Sequence, residues 1–251
     1  MPEGDTVHRA AGRLRALVGQ RLSVEAVHPR ARATGVAERL DGRCLEAVEV
    51  HGKNLLFRFE GGRVLRSHLG MRGNWRTMAP ESPVRGLPWL VLTGESAKAV
   101  LRGGAVLETS ARRVSTLGPD ILAPDLDLGA IVANLRRVGR QRAIGEVLLD
   151  QRAVSGIGNI WRSEALWHAH ISPWQLLADV DETALREVVR QAASLMTESR
   201  DGGRPRREVY RRQGRPCRRC GAPVRAAKQG DAARTVYWCD ACQRGKEPDE
   251  A

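Results

Sequence analysis

The chain has 251 residues, 41 of them Lys or Arg against 29 Asp or Glu, for a formal net charge of +12, and 42% are apolar, as is ordinary for a globular protein. That length gives room for one large domain or two to three small ones. No apolar run approaches the roughly 18 residues that cross a bilayer and the N-terminus lacks the apolar stretch of a signal peptide, so a membrane-spanning class is excluded and a soluble, cytosolic protein expected.

The positive excess points to a polyanionic partner, nucleic acid or an anionic membrane surface, with a merely solvated basic surface as the plain alternative. It is unevenly placed: residues 204–244 hold twelve Lys/Arg and three Asp/Glu, most of the whole imbalance.

In chain order, "MPEGDT" leads into a helix, because Val7, Ala10, Ala11, Leu14, Leu17 and Val18 recur at helical spacing, with Asp5 or Thr6 as cap and Gly19 as stop. Pro2 reads as a helix-start residue. If Met1 is removed it is also a secondary amine, able to attack an electrophilic carbon and form an iminium, with Glu3 beside it to donate or accept a proton. From about 21 to 117 come short β-like runs, "CLEAVEV", "NLLFRF", "RVLRSHL" and "AVLET", broken by Gly, Pro and Asn, the pattern of an antiparallel sandwich or barrel. Cys44 in the first run reads as a small buried hydrophobe. "HGKNLLFRF" sets Lys53 at the head of a strand, either an exposed cation or a flexible charge for a phosphate or a leaving group.

"TLGPDILAPDLDL" reads as a linker, and the pattern after it is helical. Leu128, Ile131, Val132 and Leu135 mark one helix; Ile144, Val147 and Leu148 a second; "NIWRSEALWHA" a third; and a fourth runs from a cap at Asp181 through Leu185, Val188, Val189, Ala192, Leu195 and Met196. Between the second and third, "SGIGNIW" carries Gly156 and Gly158 two apart, with Asn159 opening a helix. Such a turn either caps the helix or offers its exposed amides to a phosphate. "DGGRPRR" ends the helical region as a basic hinge.

Four of the five cysteines form "CRRC" at 217–220 and "CDAC" at 239–242, eighteen residues apart. Paired C-x2-C units at this distance predict a tetrahedral metal centre, with "VRAAKQGDAARTVYW" folding as a hairpin between them. With Cys217, Cys220, Cys239 and Cys242 all engaged no coordination position stays open, so one structural Zn2+ per chain is expected. Arg218, Arg219, Arg225, Lys228 and Arg234 make the hairpin a candidate DNA-contacting finger.

"MPEGDT", "HGKNLLF", "HLGMRGNW", "QRAVSGIGNIWRSEALW" and the cysteine hairpin with "ARTVYWCDACQ" together resemble the formamidopyrimidine-DNA glycosylase and endonuclease VIII family of base-excision repair enzymes, over nearly the whole chain and in the same order, and closest to its actinobacterial endonuclease VIII branch. The resemblance implies an α+β multidomain protein: an N-terminal β-sandwich with a flanking helix (1–118), a helix-two-turn-helix domain (119–203) and a C-terminal zinc finger with basic tail (204–251). It implies a bifunctional DNA glycosylase and abasic-site lyase, acting as a monomer in a bacterial cytosol on double-stranded DNA with oxidised bases or abasic sites. Pro2 would attack C1′, Glu3 assist sugar-ring opening, and Lys53 contact the backbone phosphate and support base loss. Asn159 and Arg234 would grip phosphates flanking the lesion, and Met71 would fill the gap left by the flipped base. β,δ-Elimination would follow, with no metal in that chemistry.

The chain departs from the guanine-repairing branch where Gly4 and Asp5 replace that branch's Leu-Pro, and where its lysine ahead of the glycine-rich turn falls at Gly145. Both favour oxidised pyrimidines, although "HLGMRG" around Met71 looks more like the guanine-repairing branch. Two further readings share the basic field: a non-catalytic zinc-finger protein binding damaged or branched DNA, to which Pro2 and Glu3 would be dispensable, and a zinc-ribbon RNA-binding protein, which leaves the N-terminus unexplained.

Overall fold

The structure is a computed structural model that describes residues 2–104, 106–246 and 248. The loss of Met1, the first residue of "AVLET" and the last part of the basic tail lie outside the described residues. Packing separates the chain into two units, Met1–Thr116 and Leu117–Ala251.

The first unit is built from α1 (Gly4–Leu14), β1 (Arg21–Ala26), the short helices α2 (Pro29–Arg32) and α3 (Val36–Leu40), β2 (Arg43–His51), β3 (Asn54–Phe59), β4 (Arg63–His68), β5 (Asn74–Met78), β6 (Leu90–Thr93), β7 (Lys98–Arg102) and β8 (Val106–Glu108). All pairings are antiparallel, in the order β5-β7-β6-β1-β2-β3-β4-β8. The join is β1, which pairs with β2 through Arg21 and Leu22 and then with β6 through Ser23 to Ala26. A strand that changes partner lets the ladder fold into two halves over one apolar layer, a β-sandwich. Leu22, Val24, Leu45, Phe57, Leu65, Leu92 and Leu101 fill that layer, and Val7, Ala10, Ala11 and Leu14 of α1 pack into it.

The strand runs read from the sequence appear as β2, β3, β4 and β8. The short helices do not follow from that pattern. Pro29 supplies a pre-set φ at the first turn of α2 and the His28 ring nitrogen accepts the Arg30 N–H at 3.2 Å, a local cap that overrides the β-like composition. Two other expectations are corrected. Asp5 and Thr6 do not cap α1: Glu3 stands at the cap in extended backbone, and Asp5 lies in the first turn, 3.6 Å from Arg9. Cys44 is half-buried rather than buried, on β2 opposite Arg21 where β1 leaves for β6.

In the second unit, α4 (Leu128–Gly139), the single turn α5 (Ile144–Val147), α6 (Asn159–His168) and α7 (Glu182–Arg200) share a core of Ile131, Leu135, Val147, Trp161, Leu166, Leu185, Val188 and Met196. Asp127 caps α4 and Asp181 caps α7, each accepting a backbone N–H three residues on. The hairpin of β9 (Arg225–Gln229) and β10 (Arg234–Trp238) follows, between the two cysteine pairs.

Candidate active site and metal centre

Within the first unit, Pro2 is half-buried just ahead of α1 and Glu3 is almost fully buried, its carbonyl accepting the Val7 N–H at 3.1 Å. Glu3 at the cap and Asp5 in the first turn place two carboxylates at the N-terminal end of α1.

Lys53 lies in the β2–β3 turn rather than in a strand. His51 pairs with Asn54, so Gly52 and Lys53 are the two central residues of the hairpin, with Gly52 left-handed at φ 59°. Positive φ at the first central position is the demand of a tight hairpin turn, which glycine meets without strain. Beneath the turn, buried Arg66 donates to the Asn54 side-chain oxygen at 2.5 Å and pairs with Glu108 at 3.0 Å.

Across the ladder Asn54 pairs with His68, the residue at the entry to the Met71 loop. Burial holds the His68 pKa below the usual range, and the charges of Arg66 and Lys53 lower it further. The neutral ring accordingly accepts the Gly70 N–H on Nδ1, at 3.2 Å. The loop closes with Gly73 donating to the Leu69 carbonyl at 2.8 Å, and a Cβ at Gly73 would collide with that carbonyl. At its tip Met71 is 73% exposed, more than any other large apolar side chain among the described residues. The Lys53 turn and the Met71 tip are therefore two ends of one hydrogen-bonded assembly.

Within the second unit, the glycine-rich turn is stitched at its base: Gln151 accepts the Gly156 N–H at 3.0 Å and donates to the Ile157 carbonyl at 3.0 Å, and Ser155 donates from its backbone to Pro119 at 2.8 Å. Asn159 opens α6 and donates from Nδ2 to the Thr235 carbonyl of β10 at 2.8 Å. Three residues on, fully buried Arg162 donates to the Gly145 carbonyl (2.9 Å), the Gln229 side-chain oxygen (3.1 Å) and the Arg234 carbonyl (3.2 Å). Asn159 and the hairpin bearing Arg234 are thus brought together. The Arg234 side chain is exposed at the start of β10, as is Lys228 on β9. Nearby, Arg219 stacks 3.7 Å over Trp167 and Arg225 pairs with Asp240 at 3.0 Å.

The sulfurs of Cys217, Cys220, Cys239 and Cys242 lie within 4.8 Å of one another, with Cys217–Cys242 at 3.8 Å and Cys220–Cys239 at 3.5 Å. A zinc tetrahedron with Zn–S bonds of about 2.3 Å has edges of about 3.8 Å, so the set fits a closed four-thiolate metal site. Burial opposes ionisation of Cys217, Cys239 and Cys242. Amides of Arg219 and Cys220 still bring the Cys217 thiol down to about 6, whereas burial and the neighbouring thiol of Cys220 push Cys242 up to about 11. A dication resolves this conflict, since it favours all four thiolates at once.

Sequence reasoning did not find Arg162, Gln229 or Glu164. The Glu164 carboxylate is buried and accepts backbone N–H groups of Glu208 (2.8 Å), Val209 (3.3 Å) and Tyr210 (2.8 Å). Burial raises its pKa against the pull of those donors and of Arg207. The one available signal was two charged residues in a helix that is buried from Trp161 to Trp167 and has no polar face.

A chain that joins such a sandwich to this helical unit and a four-thiol hairpin has the architecture of DNA base-excision enzymes, and comparison with known proteins makes the assignment. Residues 1–116 match the formamidopyrimidine-DNA glycosylase N-terminal domain and residues 117–206 the formamidopyrimidine-DNA glycosylase H2TH domain. The chain is 38% identical to a probable endonuclease 8 2 of Streptomyces coelicolor, covering 99% of this chain and 96% of that one. It is 33% identical to endonuclease 8 1 of Mycobacterium tuberculosis, covering 97% and 100%. Among solved structures, Lactococcus lactis formamidopyrimidine-DNA glycosylase, non-covalently bound to DNA containing an AP site, superposes with a TM-score of 0.83 at 25% identity over 97% of this chain and 100% of that one. The chain belongs to the formamidopyrimidine-DNA glycosylase and endonuclease VIII family.

Proposed function

We propose that the protein is a bifunctional DNA glycosylase and abasic-site lyase that removes oxidised bases, pyrimidines foremost, from double-stranded DNA through a covalent intermediate on Pro2. The observation that carries this reading is a proline at the head of α1 next to a buried carboxylate, Glu3, in a chain that matches its family from end to end.

With Met1 removed, the Pro2 nitrogen is a secondary amine with a reference pKa of about 8. Its lone pair attacks C1′, the N-glycosidic bond breaks, and the bonding pair leaves with the base, which takes up a proton. Ring opening, with Glu3 delivering a proton to the sugar oxygen, leaves a cationic C1′=N bond. That cation acidifies the 2′ protons. Loss of one expels the 3′ phosphate, a second elimination expels the 5′ phosphate, and water then releases Pro2.

Lys53 supplies a point charge for the phosphate and for charge developing on the departing base. The amides opening α6 at Asn159, together with Arg234, grip the phosphates beside the lesion. Met71 fills the vacated stack. Zn2+, one per chain on Cys217, Cys220, Cys239 and Cys242, holds the hairpin and takes no part in bond breaking. Catalytic roles fall in 1–118, helical DNA contacts in 119–203 and finger contacts in 204–251. Every role is filled from one chain, which supports a monomer. No described helix is long and apolar enough to cross a membrane, and the proposed setting is the bacterial cytosol, on DNA.

Pyrimidine preference is supported by the endonuclease 8 relatives and by position 145. A Cβ on Gly145 would meet the Gln229 side-chain oxygen and stand 2.9 Å from the Pro173 carbonyl, so a lysine does not fit there.

Borohydride reduction on abasic-site DNA tests the reading. The processed protein should be trapped covalently through Pro2, and Pro2→Gly or a retained Met1 should suppress trapping. Absence of a trapped species from the processed protein leaves a DNA-binding protein without catalysis. A panel of oxidised bases tests the branch: excision of 8-oxoguanine above that of thymine glycol overturns the pyrimidine assignment.

A further inference from the structure

We infer that Arg162 is a positioning residue for DNA binding: it sets the hairpin that bears Arg234 against the helix start that bears Asn159. The inference rests on the proposed phosphate roles of Asn159 and Arg234.

Arg162 is fully buried, and a buried guanidinium is tolerated only where acceptors replace its water. Its acceptors come from three separate segments: the Gly145 carbonyl in α5, the Gln229 side chain at the end of β9, and the Arg234 carbonyl at the start of β10. Gln229 and Arg234 are the residues that pair across the mouth of the β9–β10 turn. One planar fork thus holds both strands of the hairpin at the point where Arg234 leaves it. Gln229 is buried and braced from behind, donating to the Pro173 carbonyl at 2.9 Å, and it takes the space that any side chain at position 145 would need. Gly145, Gln229 and Arg162 therefore form one packing unit, in which the missing side chain at 145 makes room for the Gln229–Arg162 bond. Lysine is a poor substitute for Arg162, since a single ammonium on a flexible stem does not reproduce a rigid fork aimed at three acceptors.

A double-mutant cycle on affinity for a duplex bearing a stable abasic analogue, measured as a function of salt, tests this. Arg234→Ala alone and Arg162→Lys alone should each weaken binding by about tenfold and lower the salt slope by about one unit. The double variant should be no weaker than Arg234→Ala, because Arg162 acts through the same contact. Gln229→Ala, which removes one acceptor and leaves the cation in place, should give a smaller loss that also vanishes in the Arg234→Ala background. Losses that multiply in the double variants, or Arg162→Lys binding with an unchanged salt slope, overturn the inference. If Arg234→Ala itself binds normally, the phosphate role of Arg234 fails first and the positioning role falls with it.

Discussion

The Glu164 carboxylate on α6 accepts the backbone N–H of Tyr210 at 2.8 Å, forty-six residues further along the chain, and the N–H groups of Glu208 and Val209 beside it. A single side chain of the helical core thereby fixes the segment that leads into the four-thiol hairpin. Glu164→Ala strands three backbone donors, that of Val209 buried and those of Glu208 and Tyr210 half-buried, and should cost about 2–4 kcal/mol. Thermal unfolding with and without added zinc checks it, and a loss within 0.5 kcal/mol or so would remove Glu164 from that role.

The thiol cluster sits on a very small core of Trp167, Val209, Cys217, Val224, Cys239 and Cys242. So little apolar surface does not hold a hairpin by itself, and the metal is expected to supply the difference. Metal analysis should give one zinc per chain. A chelator strong enough to strip it should abolish DNA binding while leaving the sandwich core, measured by hydrogen exchange at β3 and β4, protected.

Asp150 governs part of the acid response. The hydrogen bond from Arg152 holds its pKa down to about 2 from the ordinary 3.8, burial opposing. Because the folded value is the lower one, the stabilisation is present above 3.8 and is lost as pH falls through about 2. The shift is worth about 1 kcal/mol once solvent screening of the exposed Arg152 is allowed for. Asp150→Asn should therefore be less stable at pH 7 and should approach the parent only below pH 2, as denaturant midpoints on either side of that value will show.

Met71→Ala should separate the two activities. An abasic site has no base left to flip out, so cleavage there should change less than threefold or so, whereas excision of a damaged base from intact duplex should fall by about tenfold or more. Parallel kinetics on the two substrates decide it; equal losses would mean that residue 71 does not serve flipping.

The extent to which the sequence foretells this molecule depends on the range of the interaction. β3 matches "NLLFRF" residue for residue, and α7 begins at its aspartate cap, since alternation and capping act over a few residues. The thiol cluster was legible for a different reason: metal geometry admits few spacings. Arg162 was not legible, because its acceptors are a carbonyl 17 residues back and groups 67 and 72 residues ahead, and backbone acceptors leave no mark in composition. Lys53 was placed one step off, at a strand head rather than in the turn, the usual uncertainty at an element boundary.

The Met71 tip is fixed by backbone bonds at Gly70 and Gly73 and by the His68 ring, none of which involves the methionine side chain. The loop therefore works as an interchangeable mount. Its side chain can be swapped for a larger, smaller or aromatic one without refolding its support, so under the role proposed for Met71 a single codon retunes what is presented to the DNA stack.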